Sequence, residues 1–237
     1  MSTETYSAFF YGTLLHPSIL RRVIGHDGDK LEICPALLLD HTRHQVKWAD
    51  YPGVIPYDKT RELLQSSGLK PDLPPEERTV RGTVVTGLSA KDVQLLDYFE
   101  GDEYSRDTIA VHPLAAFVPL SSMDPLSSSD IAPADPPPIP SLSTISTTHP
   151  PIVAHTYIWI KPLSQLEPKI WDFSEFVKTN AWKWVGDSEE VEKNEYYGEV
   201  DKRRDMGGVI VRKEIAGQEG EQGKETKVAV QVEAKAS

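Results

Sequence analysis

Two short stretches carry residue types that could do chemistry. The first is Leu95-Leu96-Asp97-Tyr98-Phe99-Glu100-Gly101. If its apolar pattern is helical, Glu100 stands at the helix C-terminus, against the negative end of the dipole. An apolar pocket there would also desolvate it. Both effects make a carboxylate a stronger base, suited to proton transfer at neutral pH. The same residues also read as a solvated glutamate ahead of a C-cap glycine, with Asp102 and Glu103 beside it. The second stretch is Phe10-Tyr11-Gly12-Thr13-Leu14, between a β-prone run and a helix that starts near Pro17. A loop at such a junction can aim several backbone N–H groups one way and so hold a carboxylate or phosphate. It lacks a second glycine followed by Lys-Ser/Thr, so it is not a nucleotide P-loop. An ordinary turn remains the other reading.

Other reactive types read more plainly. His41 and His44 stand three apart beside Asp40, a spacing that invites a metal, but no third ligand is anchored nearby and a solvated turn is expected. Cys34 lacks a basic neighbour and reads as a small apolar residue. As the sole cysteine it excludes an intrachain disulfide and a multi-cysteine zinc site. His16 adjoins the loop and also suits a helix N-terminus. Trp171, Trp182 and Trp184 read as packing residues, and Tyr104 is the aromatic expected near the site.

The elements that must position these groups follow from pattern. Ala8 to Tyr11 is a short strand. Pro17 to Val23 is a helix: Pro17 fits the first turn, Ile19/Val23 and Leu20/Ile24 repeat at helical spacing, and Gly25 fits C′. Ala36 to Leu39 and Gln45 to Trp48 read as strands around a polar turn, Asp40 to Arg43; Thr83 to Leu88 is another strand. Ser89 caps a helix that runs to Phe99 and stops at Gly101. Thr108 to Val111 and Ala154 to Ile160 are strands. Asp172 opens a further helix with Phe173, Phe176, Val177, Ala181 and Trp184 on one face. Strands outnumber helices, and neighbouring strands often lack a helix between them. That pattern favours an α+β fold with a curved sheet or barrel over a doubly wound parallel sheet.

Composition sets the outer bounds. Of 237 residues, 25 are Lys or Arg and 36 Asp or Glu, a net −11 that disfavours binding to phosphate backbones or anionic membrane surfaces. No apolar run approaches the ~20 residues of a membrane helix, and MSTETYSAFFYG lacks the pattern of a secretory signal. A cytoplasmic protein without nucleic-acid or membrane partners is expected. Ten of the 19 prolines fall between Pro113 and Pro151, with serine and threonine among them. Residues 114–150 therefore read as an unstructured insertion, and 186–237 as a polar, partly disordered tail. What is left makes one domain over 6–185, because the segment after the insertion is too short to close a core alone.

Taken in order, Phe10-Tyr11-Gly12-Thr13-Leu14, Tyr51-Pro52-Gly53-Val54-Ile55-Pro56, Arg81-Gly82-Thr83-Val84 and Leu96-Asp97-Tyr98-Phe99-Glu100-Gly101 with Tyr104-Ser105-Arg106 resemble the gamma-glutamylcyclotransferase superfamily, closest to its plant and fungal AIG2-like branch. The resemblance resumes at Tyr157-Ile158-Trp159 and at Trp171-Asp172-Phe173. It implies an α+β fold around a small mixed β-barrel with flanking helices. It also implies that Tyr11, Gly12, Thr13, Leu14, Leu15 and His16 bind a γ-glutamyl group, that Tyr51 and Pro52 line the pocket, and that Glu100 is the proton acceptor. The implied reaction releases 5-oxoproline from a γ-glutamyl amide or peptide and needs no metal or organic cofactor. Two other readings stay open: a non-catalytic binding or regulatory protein using the same pocket, and an interaction protein acting through the Pro-rich insertion.

Overall fold

A computed structural model describes residues 4–49, 51–123 and 139–171. In chain order the elements are β1 (Tyr6–Phe10), α1 (Pro17–Ile24), β2 (Glu32–Leu39), β3 (His41–Val46), β4 (Pro52–Pro56), α2 (Tyr57–Ser66) and β5 (Thr79–Leu88). There follow α3 (Ala90–Glu100), β6 (Tyr104–Pro113), β7 (Val118–Pro119), α4 (Ile145–Thr148), β8 (Ile152–Trp159) and β9 (Leu166–Ile170).

Five of these strands close on themselves. β5 pairs antiparallel with both β1 and β2, β2 continues to β6, β6 to β8, and β8 returns to β1 in parallel at Ala8↔His155. The result is the small mixed barrel with flanking helices, and closure leaves these strands no long open edge. Alternation along each strand sends one set of side chains inward, where Phe9, Cys34, Ala36, Val84, Val111 and Ala154 fill the interior. The opposite set, with Ala8, Phe10, Val85 and Tyr157, packs beneath α1 and α3. A second sheet, β4-β3-β9, lies against α2 and shares Trp159 with the barrel wall.

The two helices that matter for the site end where their local chemistry ends them. His16 caps α1 by accepting from the Ser18 amide on Nδ1, Pro17 opens it, and Gly25 stops it at φ 77°. Ser89 and Asp92 form a reciprocal capping box at the start of α3, and Gly101 stops it at φ 70°. Glu100 is thereby the last helical residue.

The polar turn expected over Asp40 to Arg43 is corrected to a reversal at Asp40 (φ 53°), after which β3 begins at once. Its inward side chains are Thr42, His44 and Val46. The alternation was hidden because two of the three are polar. They satisfy one another: the His44 Nδ1–H donates to the Glu167 carbonyl (3.0 Å), Nε2 lies 2.8 Å from the Thr42 hydroxyl, and Thr42 meets Thr60. His44 is thus fully buried, not in a solvated turn, and no metal-binding cluster occurs among the described residues. Burial holds its pKa below the ordinary 6.5. The unfolded chain then binds a proton near pH ~6.5 that the folded chain refuses until lower pH, so stability falls as pH drops through that window. Thermal melts of His44→Gln should show a smaller loss of Tm than the native chain between about pH 7 and pH 5. An equal loss in both would remove His44 as the cause.

The unstructured insertion expected over 114–150 is corrected at both flanks. Val118 and Pro119 pair with Ile33 and Glu32, and Leu120 is fully buried against the barrel's outer core. The Leu120 amide donates to the Leu31 carbonyl at 2.8 Å, and its own carbonyl accepts from Arg21. Ile145 is buried, and the His149 carbonyl accepts from His112. Proline density removes backbone donors but does not prevent a single leucine or isoleucine from plugging a core. The helix expected from Asp172, with Phe173, Phe176, Val177, Ala181 and Trp184, lies outside the described residues, as do Trp182 and the tail 186–237.

Candidate active site

The site begins with a close approach between strands. Phe10 pairs with Thr83, and Gly82 precedes it on β5. A Cβ on Gly82 would stand 2.2 Å from the Phe10 carbonyl oxygen and 2.5 Å from the Phe9 ring. Only glycine lets β1 lie this close to β5, and β1 delivers Tyr11 to the rim of the barrel. There Gly12 opens a single 3₁₀ turn, Thr13–Leu15, closed by bonds from the Leu15 amide to the Gly12 carbonyl and the His16 amide to the Thr13 carbonyl. No side chain caps this turn, and the first amides of such a turn have no partner within it. The loop is tied down from behind. Arg43 donates to the Tyr11 carbonyl at 2.7 Å while its guanidinium stacks 4.5 Å above the buried Trp171 ring.

A narrow cleft, about 30 Å³ in free volume, lies over this turn. Phe10, Tyr11, Gly12, Thr13 and Leu14 form one wall. Phe99 and Glu100, from the end of α3, face it together with Tyr51, Pro52, Tyr104 and Tyr157. Of the residues named from the sequence, Glu100, Tyr11, Gly12, Thr13, Leu14, Tyr51, Pro52 and Tyr104 therefore meet in one place. Leu15 and His16 do not line it: both are buried, and the His16 ring serves the α1 cap. Phe10, Phe99 and Tyr157 were not named as site residues. Tyr157 comes from β8, far away in the chain, and only barrel closure brings it there.

The cleft is acidic and aromatic. Burial, with the Glu100 charge next, raises the pKa of the Tyr11 and Tyr157 phenols. Burial likewise raises Tyr104, followed by its tyrosine neighbours and then Glu100 and Glu103. All three therefore stay neutral well into the alkaline range. Each cleft phenol also directs its one proton to a protein acceptor. Tyr11 donates to the Tyr157 carbonyl, Tyr51 to Glu103 (2.7 Å), Tyr104 to the Pro52 carbonyl (3.0 Å) and Tyr157 to Asp97 (3.0 Å). What these oxygens can still offer is lone pairs. The turn thus forms one wall, and residues whose hydroxyl oxygens keep lone pairs stand about it.

Fold and cleft together define a small mixed-barrel protein with a carboxylate set against a turn of backbone amides. A family model described as "Gamma-glutamyl cyclotransferase, AIG2-like" matches residues 8–123, just under half of the chain, and over this segment the chain is similar to that family. Protein AIG2 C of Arabidopsis thaliana is 25% identical over 108 residues, 46% of this chain and 53% of that protein. The match spans about half the length of that relative. Among solved structures, one from Arabidopsis thaliana determined in solution is 19% identical at a TM-score of 0.45, covering 92% of this chain and 98% of that one. The crystal structure of a yeast gamma-glutamyl cyclotransferase specific to glutathione is 13% identical at 0.44, covering 86% and 96%. At these low scores the barrel and cleft stand on the strand pairing itself. No helix among the described residues is long and apolar enough to cross a membrane.

Proposed function

We propose that the protein is a γ-glutamylcyclotransferase-like amide cyclase that releases 5-oxoproline from a small γ-glutamyl amide or peptide, with Glu100 as proton acceptor. The observation that carries the reading is the shared cleft: the Glu100 carboxylate lies in it together with Gly12, Thr13 and Leu14. In this reading the amides of the turn hold the substrate's α-carboxylate, and Glu100 with the phenol oxygens takes the α-ammonium. Glu100 removes a proton from that ammonium. The freed amine attacks the γ-carbonyl, a C–N bond closes the five-membered ring, and the old amide C–N bond breaks. Glu100 returns that proton to the departing nitrogen as its C–N bond breaks, and the second proton shed by the ring nitrogen converts the released amine to its ammonium, so no net proton is taken up or released. Holding the glutamyl chain folded supplies much of the acceleration, because ring closure needs the reacting atoms in near-attack geometry. An amide N–H near the γ-oxygen would stabilise the developing oxyanion.

Gly12 offers a test of the amide wall. A Cβ added there would meet only the Pro52 ring, at 3.4 Å, an ordinary van der Waals contact. It would, however, occupy space between two residues that line the cleft. Gly12→Ala is expected to keep stability within about 1 kcal/mol while kcat/KM falls roughly 10²-fold through misplacement of the substrate. A variant that is stable and fully active would remove the turn from the binding site.

A further inference from the structure

One acceptor oxygen of the cleft depends on a residue that does not itself line it. Asp97 stands three residues before Glu100, one turn back on the same side of α3. While Glu100 lines the cleft, Asp97 reaches the Tyr157 hydroxyl at 3.0 Å with one oxygen and Arg106 at 2.8 Å with the other. The β6–β8 pairing sets Arg106 directly opposite Tyr157, so both reach Asp97 from one face of the barrel. A carboxylate accepts and does not donate, so the phenol proton must point to Asp97, and the Tyr157 oxygen has only lone pairs left for the cleft.

We infer that Asp97 is a positioning residue for recognition of the substrate's α-ammonium: by taking the Tyr157 proton it presents the Tyr157 oxygen as an acceptor beside Glu100. An ammonium brings three donors, more than one carboxylate fills with good geometry. This inference rests on the cyclase reading for its substrate class, and it assigns a task to a residue that need not touch the substrate. Asn at position 97 keeps the shape but can donate to the phenol oxygen. The Tyr157 proton would then be free to turn into the cleft, towards the ammonium.

The test uses the full chain, with γ-glutamylalanine and its N-α-acetyl derivative as probes, and reads both calorimetric binding and release of 5-oxoproline. Asp97→Asn and Tyr157→Phe are each expected to weaken binding of γ-glutamylalanine about ten- to hundredfold, the scale of a hydrogen bond to a charged group. The double variant should bind no worse than Tyr157→Phe alone, because Asp97 acts only through that oxygen. Preference for the free amine over the acetylated compound should shrink in all three, with thermal melts confirming that each folds. Binding by Asp97→Asn within about twofold of the native chain, or losses that simply multiply in the double variant, would overturn the inference. If γ-glutamylalanine binds and Asp97→Asn weakens it while no 5-oxoproline forms, the positioning role stands and the cyclase reading falls. If the native chain binds neither probe, both fall. If it turns over and Asp97→Asn matches it in KM, the positioning role alone falls.

Discussion

Glu100→Gln should lower kcat for 5-oxoproline release about 10²- to 10⁴-fold, the usual range for loss of a positioned acid–base group. The substitution keeps the side chain's length and leaves α3 intact, since the Ser89–Asp92 box and Gly101 hold its two ends. What it removes is the charge, whose presence is registered by Tyr11, Tyr104 and Tyr157. Without a carboxylate the α-ammonium stays protonated and the amine cannot attack. The ammonium also loses an ionic partner, so KM should rise as kcat falls. The check is steady-state kinetics on the purified variant, with a thermal melt to show that it folds. A kcat within a few-fold of the native value would take the proton-acceptor role from Glu100.

Among the described glycines with close neighbours, Gly82→Ala should be the most damaging added methyl. The added Cβ would lie 2.2 Å from a backbone oxygen and 2.5 Å from the Phe9 ring. Neither is the free end of a flexible side chain, because Phe9 is fully buried inside the barrel. β1 must therefore move off β5, at a cost of about 1–3 kcal/mol or more. In a chain of this size each kcal/mol lowers Tm by roughly 2–4 °C. The same movement carries Phe10, Tyr11 and Gly12 out of register with Glu100, and a displacement near 1 Å can cost about 10² in rate. Gly68 provides the control: it has a positive φ of 71° but open space around it. Gly68→Ala should cost a little stability from backbone strain and leave kcat/KM unchanged. Equal effects from the two substitutions would mean that strain, not displacement of β1, is responsible.

Much of this machinery is legible in local signals. Pro17 with Gly25, and Ser89 with Gly101, fix the ends of two helices through backbone geometry that needs no tertiary help. Glu100 followed by glycine, and Gly12 just past a β-prone run, were legible for the same reason. The rest depends on pairs far apart in the chain. Tyr157 meets Asp97 across 60 residues and Tyr11 across 146, and only the parallel closure of β8 on β1 makes those meetings possible. The strand containing Thr42 and His44 was hidden because its buried face is polar and satisfied by Thr60 and Glu167, residues that no local pattern links to it. Leu120 and Ile145 were hidden by composition, since each is a lone apolar residue in a stretch rich in proline and serine. Family resemblance, not periodicity, supplied Tyr51 and Pro52.

The most direct test incubates the full chain and its Glu100→Gln variant with a panel of γ-glutamyl compounds: glutathione, γ-glutamyl amines and γ-glutamyl dipeptides. Mass spectrometry then scores 5-oxoproline and the released amine in each tube. At least one compound should yield both products in equal amounts with the native chain, and the variant should yield neither at a comparable rate. No 5-oxoproline from any compound, or equal yields from chain and variant, would contradict it.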